Sequence, residues 1–464
     1  MKAIRIQDII QCVGASAIHP VDQDVQVESV EFDSRKVTPG ALFVPLVGGN
    51  TDGHDYVQQA IDQGAVACFW SANPDQAPVD QIQVIFVKDT LRAMQDLAHY
   101  YRQLIDPIVI GITGSNGKTT AKDMTAMSLT SKYQVYKTQG NFNNEIGMPY
   151  TILSMPETTE VLVLEMGMNH FGEIQRLSEI AQPDYAAITL IGESHIEFLG
   201  SRQGIAQAKL EILAGMQQGG VLVYPGNEPL IDQALEKAPT AITCYRFGFD
   251  PADDFYAYDI HEEYNKTYFR TSIDGNVLSS IPIIGSYNVS NALIALTFAQ
   301  FLQVPIEQAI FQLSQFELTA NRVQWLKTHN GAKLLNDAYN ASPTSMRAIL
   351  HSLGHVEVEG GGRKIAVLGD ILELGAHSAA YHRGLAEELD PERIEAVYLF
   401  GPEMVNLYEV LQEQYPENRL FYERDNHQTL IQALQRAIKP EDVILVKSSF
   451  GVDLLQVVTA LTQA

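Results

Sequence analysis

The sequence predicts an α/β protein of three domains, and three observations carry that expectation. Apolar strand-like runs alternate with helical stretches from residue 107 onward. A glycine-rich loop, GITGSNGKTT at 111–120, follows the first of those runs and opens a helix. The chain has 464 residues, more than one core supports, since domains usually hold about 100–200 residues.

Residues 1–106 read as a smaller N-terminal α/β domain. VQVESVEFDSR and ALFVPLVGG are strand-like, an Asp52-Gly53 turn follows, and then come the helical YVQQAIDQGA and the strand IQVIFVKD. Pro107 marks the break to a central domain, 107–317. There PIVIGIT, VLVLEMG (161–167), YAAITLI (185–191) and GVLVYP are continuous apolar strands. AKDMTAMSLTSK, GEIQRLSEIA and residues 202–217 are the helices between them. Strands apolar on both faces, joined by helices, make a parallel sheet covered on both sides. Residues 253–283 break the rhythm and read as a small β insertion or edge, and 284–302 is a strong helix. Residues 318–464 restart the alternation with AKLLND, KIAVLGD, AVYLFG, RLFYE and DVILVKS as strands, a second doubly wound domain.

The formal net charge of −25 argues against a non-specific nucleic-acid binder, which needs a basic face. It leaves room for an anionic small ligand, because a phosphate site is local and built largely of backbone N–H groups. Cys12, Cys68 and Cys244 form no C-x-x-C or Cys/His cluster, which fits free thiols in a reducing compartment. MKAIRIQDIIQCVG lacks the long apolar core of a signal peptide, and no run of about 18 apolar residues is present to span a membrane. A cytoplasmic protein is expected. Oligomeric state leaves no signature, and a monomer is favoured.

The glycine loop misses the strict G-x-x-x-x-G-K-[ST] pattern, because Ile112 stands where the first glycine belongs. Its context is nevertheless that of a phosphate loop. Gly114, Ser115, Asn116, Gly117, Lys118, Thr119 and Thr120 join a strand to a helix N-terminus, where successive N–H groups favour an anion. Lys118 can reach the outer phosphates, and Thr119 sits where such loops place a Mg²⁺-ligating hydroxyl. Glu165 closes the strand VLVLE and is the candidate second metal ligand, since ligands bind at strand carboxyl ends and Mg²⁺ takes one or two carboxylates.

Larger segments then resemble a known family. GSNGKTT (114–120), TQGNFNNEIGMP (138–149) and LEMGMNHFGEI (164–174) are similar to the Mur ligase superfamily, ATP-dependent ligases that extend the peptide of peptidoglycan precursors. SHIEFLGSRQGIAQAKLEI (194–212), NDAYNASPTSMRAIL (336–350), VLGDILELG (367–375) and DSRKVTPGALFVPLVGGNTDGHDYVQQA (33–60) carry the resemblance over nearly the whole chain in the family's order. It implies an N-terminal UDP-substrate-binding domain, a central P-loop ATPase domain and a C-terminal Rossmann-like domain. DAYNASP and LGDILELG, with a later His382, look most like the members that add D-alanyl-D-alanine. The Asp-Asn-Pro-Arg of the diaminopimelate-adding members has only DNHQ (425–428) as a counterpart.

The resemblance implies that the terminal carboxylate of a UDP-MurNAc-tripeptide attacks ATP to give an acyl phosphate, which the amine of D-Ala-D-Ala then opens. It implies catalytic roles for Lys118, Glu165, His195 and Lys209, with Lys209 carbamylated. Two Mg²⁺ ions would be held by Thr119, Glu165, Lys209 and His195. Asn288 and Asn291 would meet the adenine, with Tyr287 where the family has histidine. Arg322 would grip phosphate across the domain junction, with Asn321 where glycine is usual, and Asp337 would face the ribose. Ser34, Arg35, Tyr339 and Asn340 fall on the substrate side. Asn141, Asn143 and Asn144 either position phosphates or hold a tight loop. Lys447-Ser448-Ser449-Phe450 stands where the family commonly reads Lys-Gly-Ser-Arg, which leaves the hold on the acceptor's carboxylate open. Lysine or diaminopimelate in the tripeptide, and a dipeptide or depsipeptide acceptor, both stay open. The competing readings are another amino-acid-adding Mur-type ligase, a non-catalytic nucleotide-binding relative and a P-loop phosphotransferase. Because the ATP contacts are drawn from two domains, an open ligand-free form is expected.

Overall fold

The structure is a computed structural model that describes every residue except 18–21, 23, 50, 237–240, 264, 274–276, 318–321, 359 and 464. Asn321 therefore lies outside the described residues. Three α/β units, each built on a largely parallel sheet, follow one another along the chain.

The N-terminal sheet runs Ser16–Ala17, Gln83–Phe86, Ala67–Trp70, Ala41–Phe43, Ser29–Glu31 in spatial order. Only its first pair is antiparallel. Strand Ala67–Trp70 and helix Thr90–Ile105 go beyond the sequence reading. That helix starts where the Asp89 side chain accepts the Arg92 N–H, and it stops at Asp106, left-handed at φ 53°, just before Pro107. Ala93, Met94, Leu97, Ala98 and Tyr101 make its buried stripe. The stripe packs on helices Gly147–Ser154 and Glu173–Ala181. The Tyr101 hydroxyl donates to Met155 O at 2.9 Å and Arg102 Nε to Ala181 O at 3.0 Å. The last helix of the first segment is thus held by the second.

The central sheet has nine strands, in the order Val135–Lys137, Val161–Glu165, Ile108–Thr113, Tyr185–Ile188, Val221–Pro225, Thr243–Gly248, Phe255–Glu263, Lys266–Thr271, Ser279–Ile281. The residues that break the sequence rhythm form its edge, where the last two strands turn antiparallel. Ile108–Thr113, first of these in the chain, lies between Val161–Glu165 and Tyr185–Ile188. The strand order therefore reverses there, and the reversal opens a crevice at the carboxyl ends. The glycine loop leaves from that point. Helix Ser286–Phe301 is buried continuously from Asn291 to Ala299. It is apolar all round because it lies between the sheet and helices Lys118–Leu129 and Ile306–Ser314. Each buried Leu or Ile there contributes about 1.5–3 kcal/mol.

The C-terminal sheet runs Gln324–Lys327, Lys333–Asp337, Val443–Lys447, Lys364–Gly369, Ala396–Phe400, Leu420–Glu423, antiparallel only at its first pair. Its last strand in sequence enters beside Lys333–Asp337, so Asp337 and Lys447 are register partners at the carboxyl edge. That edge faces the glycine loop. Asn116 Nδ2 donates to Ser342 Oγ at 2.8 Å, and Thr344 Oγ1 to Glu193 Oε2 at 2.6 Å. The two domains meet here, because the capped start of helix Pro343–His355 supplies hydroxyls that pair with central-domain loops. Among the described residues, no helix is long and apolar enough to cross a membrane.

Candidate active site

The glycine loop is shaped by what its glycines touch. Gly114 has φ 145°, and a Cβ there would lie 1.9 Å from Thr189 Oγ1. Gly117 has φ 81°, and a Cβ there would lie 2.7 Å from Asn291 Oδ1. Only glycine lets the loop press against the neighbouring strand end and the helix that carries Asn291. Thr189 Oγ1 then donates to Asn116 O at 2.5 Å, and the Ser115 N–H to Leu190 O at 2.9 Å. Gly114→Ala is expected to weaken binding of an ATP analogue about tenfold or more in calorimetric titration, because Thr189 must move. Wild-type affinity would show that the loop tolerates a Cβ.

Lys118 begins the helix and folds back, its Nζ donating to Gly114 O at 2.8 Å. Burial holds its pKa below the usual lysine value, with Glu165 opposing and Arg322 adding to the effect. Glu165 is buried. Its Oε2 accepts from Thr119 Oγ1 at 2.9 Å and its Oε1 from Asn143 Nδ2 at 2.8 Å. The Glu165 N–H donates to Thr138 Oγ1 at 3.0 Å. The three asparagines divide their work. Asn143 orients Glu165, Asn141 lines the cavity, and Asn144 accepts from the Gly147 N–H at 2.9 Å, holding the turn into the next helix.

One cavity of about 750 Å³ joins the loop to the facing domain. Ser115 to Thr120, Asn141, Asn143, Glu165, His195, Asn288, Asn291, Arg322, Asp337, Tyr339 and Asn340 all line it. Asn288 Nδ2 donates to Ile284 O at 2.8 Å, so its amide is partly committed to the helix start. The Arg322 guanidinium lies 4.5 Å from the centre of the Tyr339 ring. Asp337 is paired with Lys447, whose Nζ also donates to Asn340 O at 2.8 Å. Lys447 is a cavity residue that the motifs do not single out, although a buried apolar strand that ends in lysine is a signal of its own. Phe450 is 63% exposed, with its ring 5.7 Å from that of Tyr339.

Other candidate residues stand apart from the cavity wall. Ser34 donates to Gln59 Oε1 at 2.7 Å and Arg35 pairs with Asp33 at 2.8 Å, both within the N-terminal domain. Gly114 acts through the loop behind the wall. His195 does line the cavity, but it sits left-handed at φ 64° with Nδ1 2.6 Å from Glu373 Oε2 of the facing domain. That imidazole holds the Glu373 carboxyl below its usual range. Lys209 is fully buried on helix Arg202–Leu210, and among the described residues its Nζ has no hydrogen-bond partner. Burial first, and nearby Lys118 second, push its pKa well below the usual lysine value. His382 is buried and structural: its Nε2 accepts from the Ile371 N–H at 3.1 Å. Among the described residues, no group of three or more His, Cys, Asp or Glu side chains is placed to hold a metal.

A phosphate loop at the switch point of a parallel sheet, faced across one cavity by a second doubly wound domain, defines a P-loop nucleotide-dependent enzyme of two catalytic domains. The chain belongs to the Mur ligase family, whose members are ATP-dependent enzymes. Residues 112–299 match the Mur ligase middle domain, 321–450 the Mur ligase glutamate ligase domain, and 26–102 the Mur ligase family catalytic domain. The UDP-N-acetylmuramoyl-tripeptide--D-alanyl-D-alanine ligase of Bacillus subtilis (strain 168) is 39% identical over 459 residues, covering 99% of this chain and 98% of that protein. The crystal structure of MurF from Acinetobacter baumannii superposes with a TM-score of 0.89 at 27% identity, covering both chains completely. The MurF ligase of Thermotoga maritima in complex with ADP gives a TM-score of 0.81 at 27% identity, over 93% of this chain and 96% of that one.

Proposed function

We propose that the chain is the cytoplasmic ligase that joins D-alanyl-D-alanine to a UDP-MurNAc-tripeptide at the expense of ATP, in peptidoglycan precursor synthesis. The observation that carries it is the single cavity in which Lys118, the Thr119–Glu165 pair, Arg322 and Lys447 converge from two domains. The choice of acceptor rests on the full-length likeness to the Bacillus subtilis ligase. The units 1–106, 107–317 and 318–464 would serve as UDP-substrate, ATP and acceptor domains.

The chemistry joins two anions. A tripeptide carboxylate attacks the γ-phosphorus, the bond to the bridging oxygen breaks, and ADP leaves with an acyl phosphate formed. The acceptor amine attacks that carbonyl, and the tetrahedral intermediate collapses to amide and phosphate. Like-charge repulsion is the main barrier, so positioned cations and N–H groups supply most of the catalysis. Lys118 and the loop N–H groups would hold the outer phosphates from one side, and Arg322 from the other. Glu165 fits a Mg²⁺ ion, because a buried carboxylate whose hydrogen-bond partners are only a neutral hydroxyl and a neutral amide still wants a cation. Thr119 and Glu165 would hold it. A second Mg²⁺ would be held by His195 and Lys209. When bound, the metals neutralise charge on the transferring phosphoryl group.

Lys209 suits that role only as a carbamate. Once deprotonated, which its lowered pKa favours, the buried amine can attack CO₂, forming an N–C bond and releasing one proton, which turns an unpartnered base into a carboxylate-like anion. A high-resolution map with both metals bound and a bare amine at Lys209 would count against this.

The test is phosphate release. Release should require both UDP-MurNAc-tripeptide and D-Ala-D-Ala, with a turnover of order 1–10³ s⁻¹. Release without an amine requirement would overturn the ligase reading. Running lysine- and diaminopimelate-containing tripeptides against dipeptide and depsipeptide acceptors sets both substrates.

A further inference from the structure

One buried cation has no part in the reaction above. Lys122 stands one turn beyond Lys118 on helix Lys118–Leu129 and is 2% exposed. Its Nζ donates to Thr138 O at 2.8 Å. Asp123 Oδ1 lies 3.1 Å from that ammonium and 2.6 Å from Lys137 Nζ, so one carboxylate faces two cations. Burying an ammonium costs free energy even when it is paired, and an apolar side chain of similar volume is often neutral or better in such a place.

The ammonium changes the edge of the central sheet. Val135–Lys137 pairs in parallel with Val161–Glu165, and the Thr138 N–H continues that ladder by donating to Val163 O at 3.0 Å. The next rung of a regular parallel ladder would run from the Glu165 N–H to Thr138 O. Here the Glu165 N–H donates to Thr138 Oγ1 at 3.0 Å, and Thr138 O is turned to Lys122. A hydroxyl has taken the rung and a lysine the carbonyl. The chain leaves the sheet at this point as loop 138–146, which lies over the carboxyl end of Val161–Glu165. There Asn143 Nδ2 donates to Glu165 Oε1 at 2.8 Å, and Asn143 O accepts the Gly167 N–H at 2.8 Å. Thr119, three residues before Lys122 on the same helix face, donates to the other carboxylate oxygen, Glu165 Oε2. One helix face thus grips Glu165 twice, at the side chain through Thr119 and at the backbone through Lys122 and Thr138.

We propose that Lys122 is a positioning residue for phosphoryl transfer: its ammonium draws Thr138 O out of the ladder, which seats Asn143 on Glu165 and aims that carboxylate at the metal beside Thr119. The inference rests on the ATP- and Mg²⁺-dependent reading above and names what sets its metal ligand. Lys122→Met keeps the length and removes the charge, while Lys137 still faces Asp123. Thr138 O then turns back to the Glu165 N–H, the rung closes, and the loop shifts off Glu165.

ADP is titrated calorimetrically into the intact chain in Mg²⁺ and in EDTA, melting is followed, and phosphate release is measured with all three substrates. In Lys122→Met the factor by which Mg²⁺ tightens ADP should shrink about tenfold or more. ADP affinity in EDTA should stay as in the wild type, because the glycine-loop N–H groups are untouched. The kcat should fall about 10–100-fold, with KM for UDP-MurNAc-tripeptide and D-Ala-D-Ala little changed. Thr138→Val leaves the Glu165 N–H only the carbonyl to pair with, and it should give the same changes. The double variant should lose no more than the worse single one, since both act through one loop. A Mg²⁺ factor that stays intact while melting falls would make Lys122 a prop of the sheet edge and overturn the proposal, as would a loss of equal size in EDTA. If Lys122→Met does not fold, Thr138→Val decides by the same readings. If the wild type releases no phosphate, the ligase reading fails, and the paired ADP titrations still decide this one.

Discussion

Lys209→Met is expected to lower kcat for amide formation by about 10²–10³-fold while leaving the protein no less stable. The two halves of that result come from different physics. The Lys209 amine is fully buried and unpartnered, and burial with Lys118 nearby keeps its pKa well below the ordinary value of 10.5. In carbon dioxide-free, metal-free buffer the folded chain therefore gives up this proton at a lower pH than the unfolded chain does. The unfolded state binds more protons, so this group's share of stability is complete only above pH 10.5 and is lost as pH falls towards the folded pKa. Methionine keeps the length and fills the volume without that penalty. The variant should melt at or above the wild-type temperature at neutral pH, with the gap closing towards pH 10.5. Carbamylated and metal-bound, the same side chain supplies an anion that methionine cannot, and phosphate release should fall. A clearly lowered melting temperature would refute the lowered Lys209 pKa, and near-wild-type turnover would refute the carbamate.

The phosphate loop and Glu165 are legible in the sequence for a definite reason. Strands buried on both faces read as unbroken apolar runs, and in a parallel sheet every such run ends at the ligand edge. Ile108–Thr113 and Val161–Glu165 are adjacent in the sheet, so the residues that follow the first and close the second meet. Relations set by distant segments are not legible in this way. Nothing near Thr90–Ile105 announces that Tyr101 and Arg102 will bond to Met155 and Ala181. Nothing near residue 195 announces Glu373, and both residues sit left-handed where they meet across the domains. Asp337 shows the same limit. A strand-end aspartate is visible, but its partner Lys447 comes from the last strand to enter the sheet. Lys209 is a further case: a lysine on a helix reads as solvated, and only the family resemblance singles it out before its burial is seen.

Lys118→Met should reduce kcat/KM for ATP by about 10³-fold and change KM for the UDP-substrate little. In the structure the ammonium is parked on Gly114 O at 2.8 Å, with Ser115 O at 3.5 Å, both within its own loop. A bound triphosphate offers charged oxygens that outcompete two neutral carbonyls, so the side chain has only to turn, not to unfold. Its gain grows as negative charge moves on to the leaving bridge oxygen, which places the effect in the transition state and predominantly in kcat. ADP binding should weaken less than turnover does, because the loop N–H groups remain. Lys118→Arg should recover little, since a planar fork does not replace a compact ammonium within a loop this closely packed. Steady-state phosphate release and ADP titration on the same preparations separate the terms. Equal losses in ADP affinity and in kcat/KM would mean that Lys118 merely binds nucleotide, and the cation that offsets repulsion between the two reacting anions would then have to come from Arg322 across the cleft.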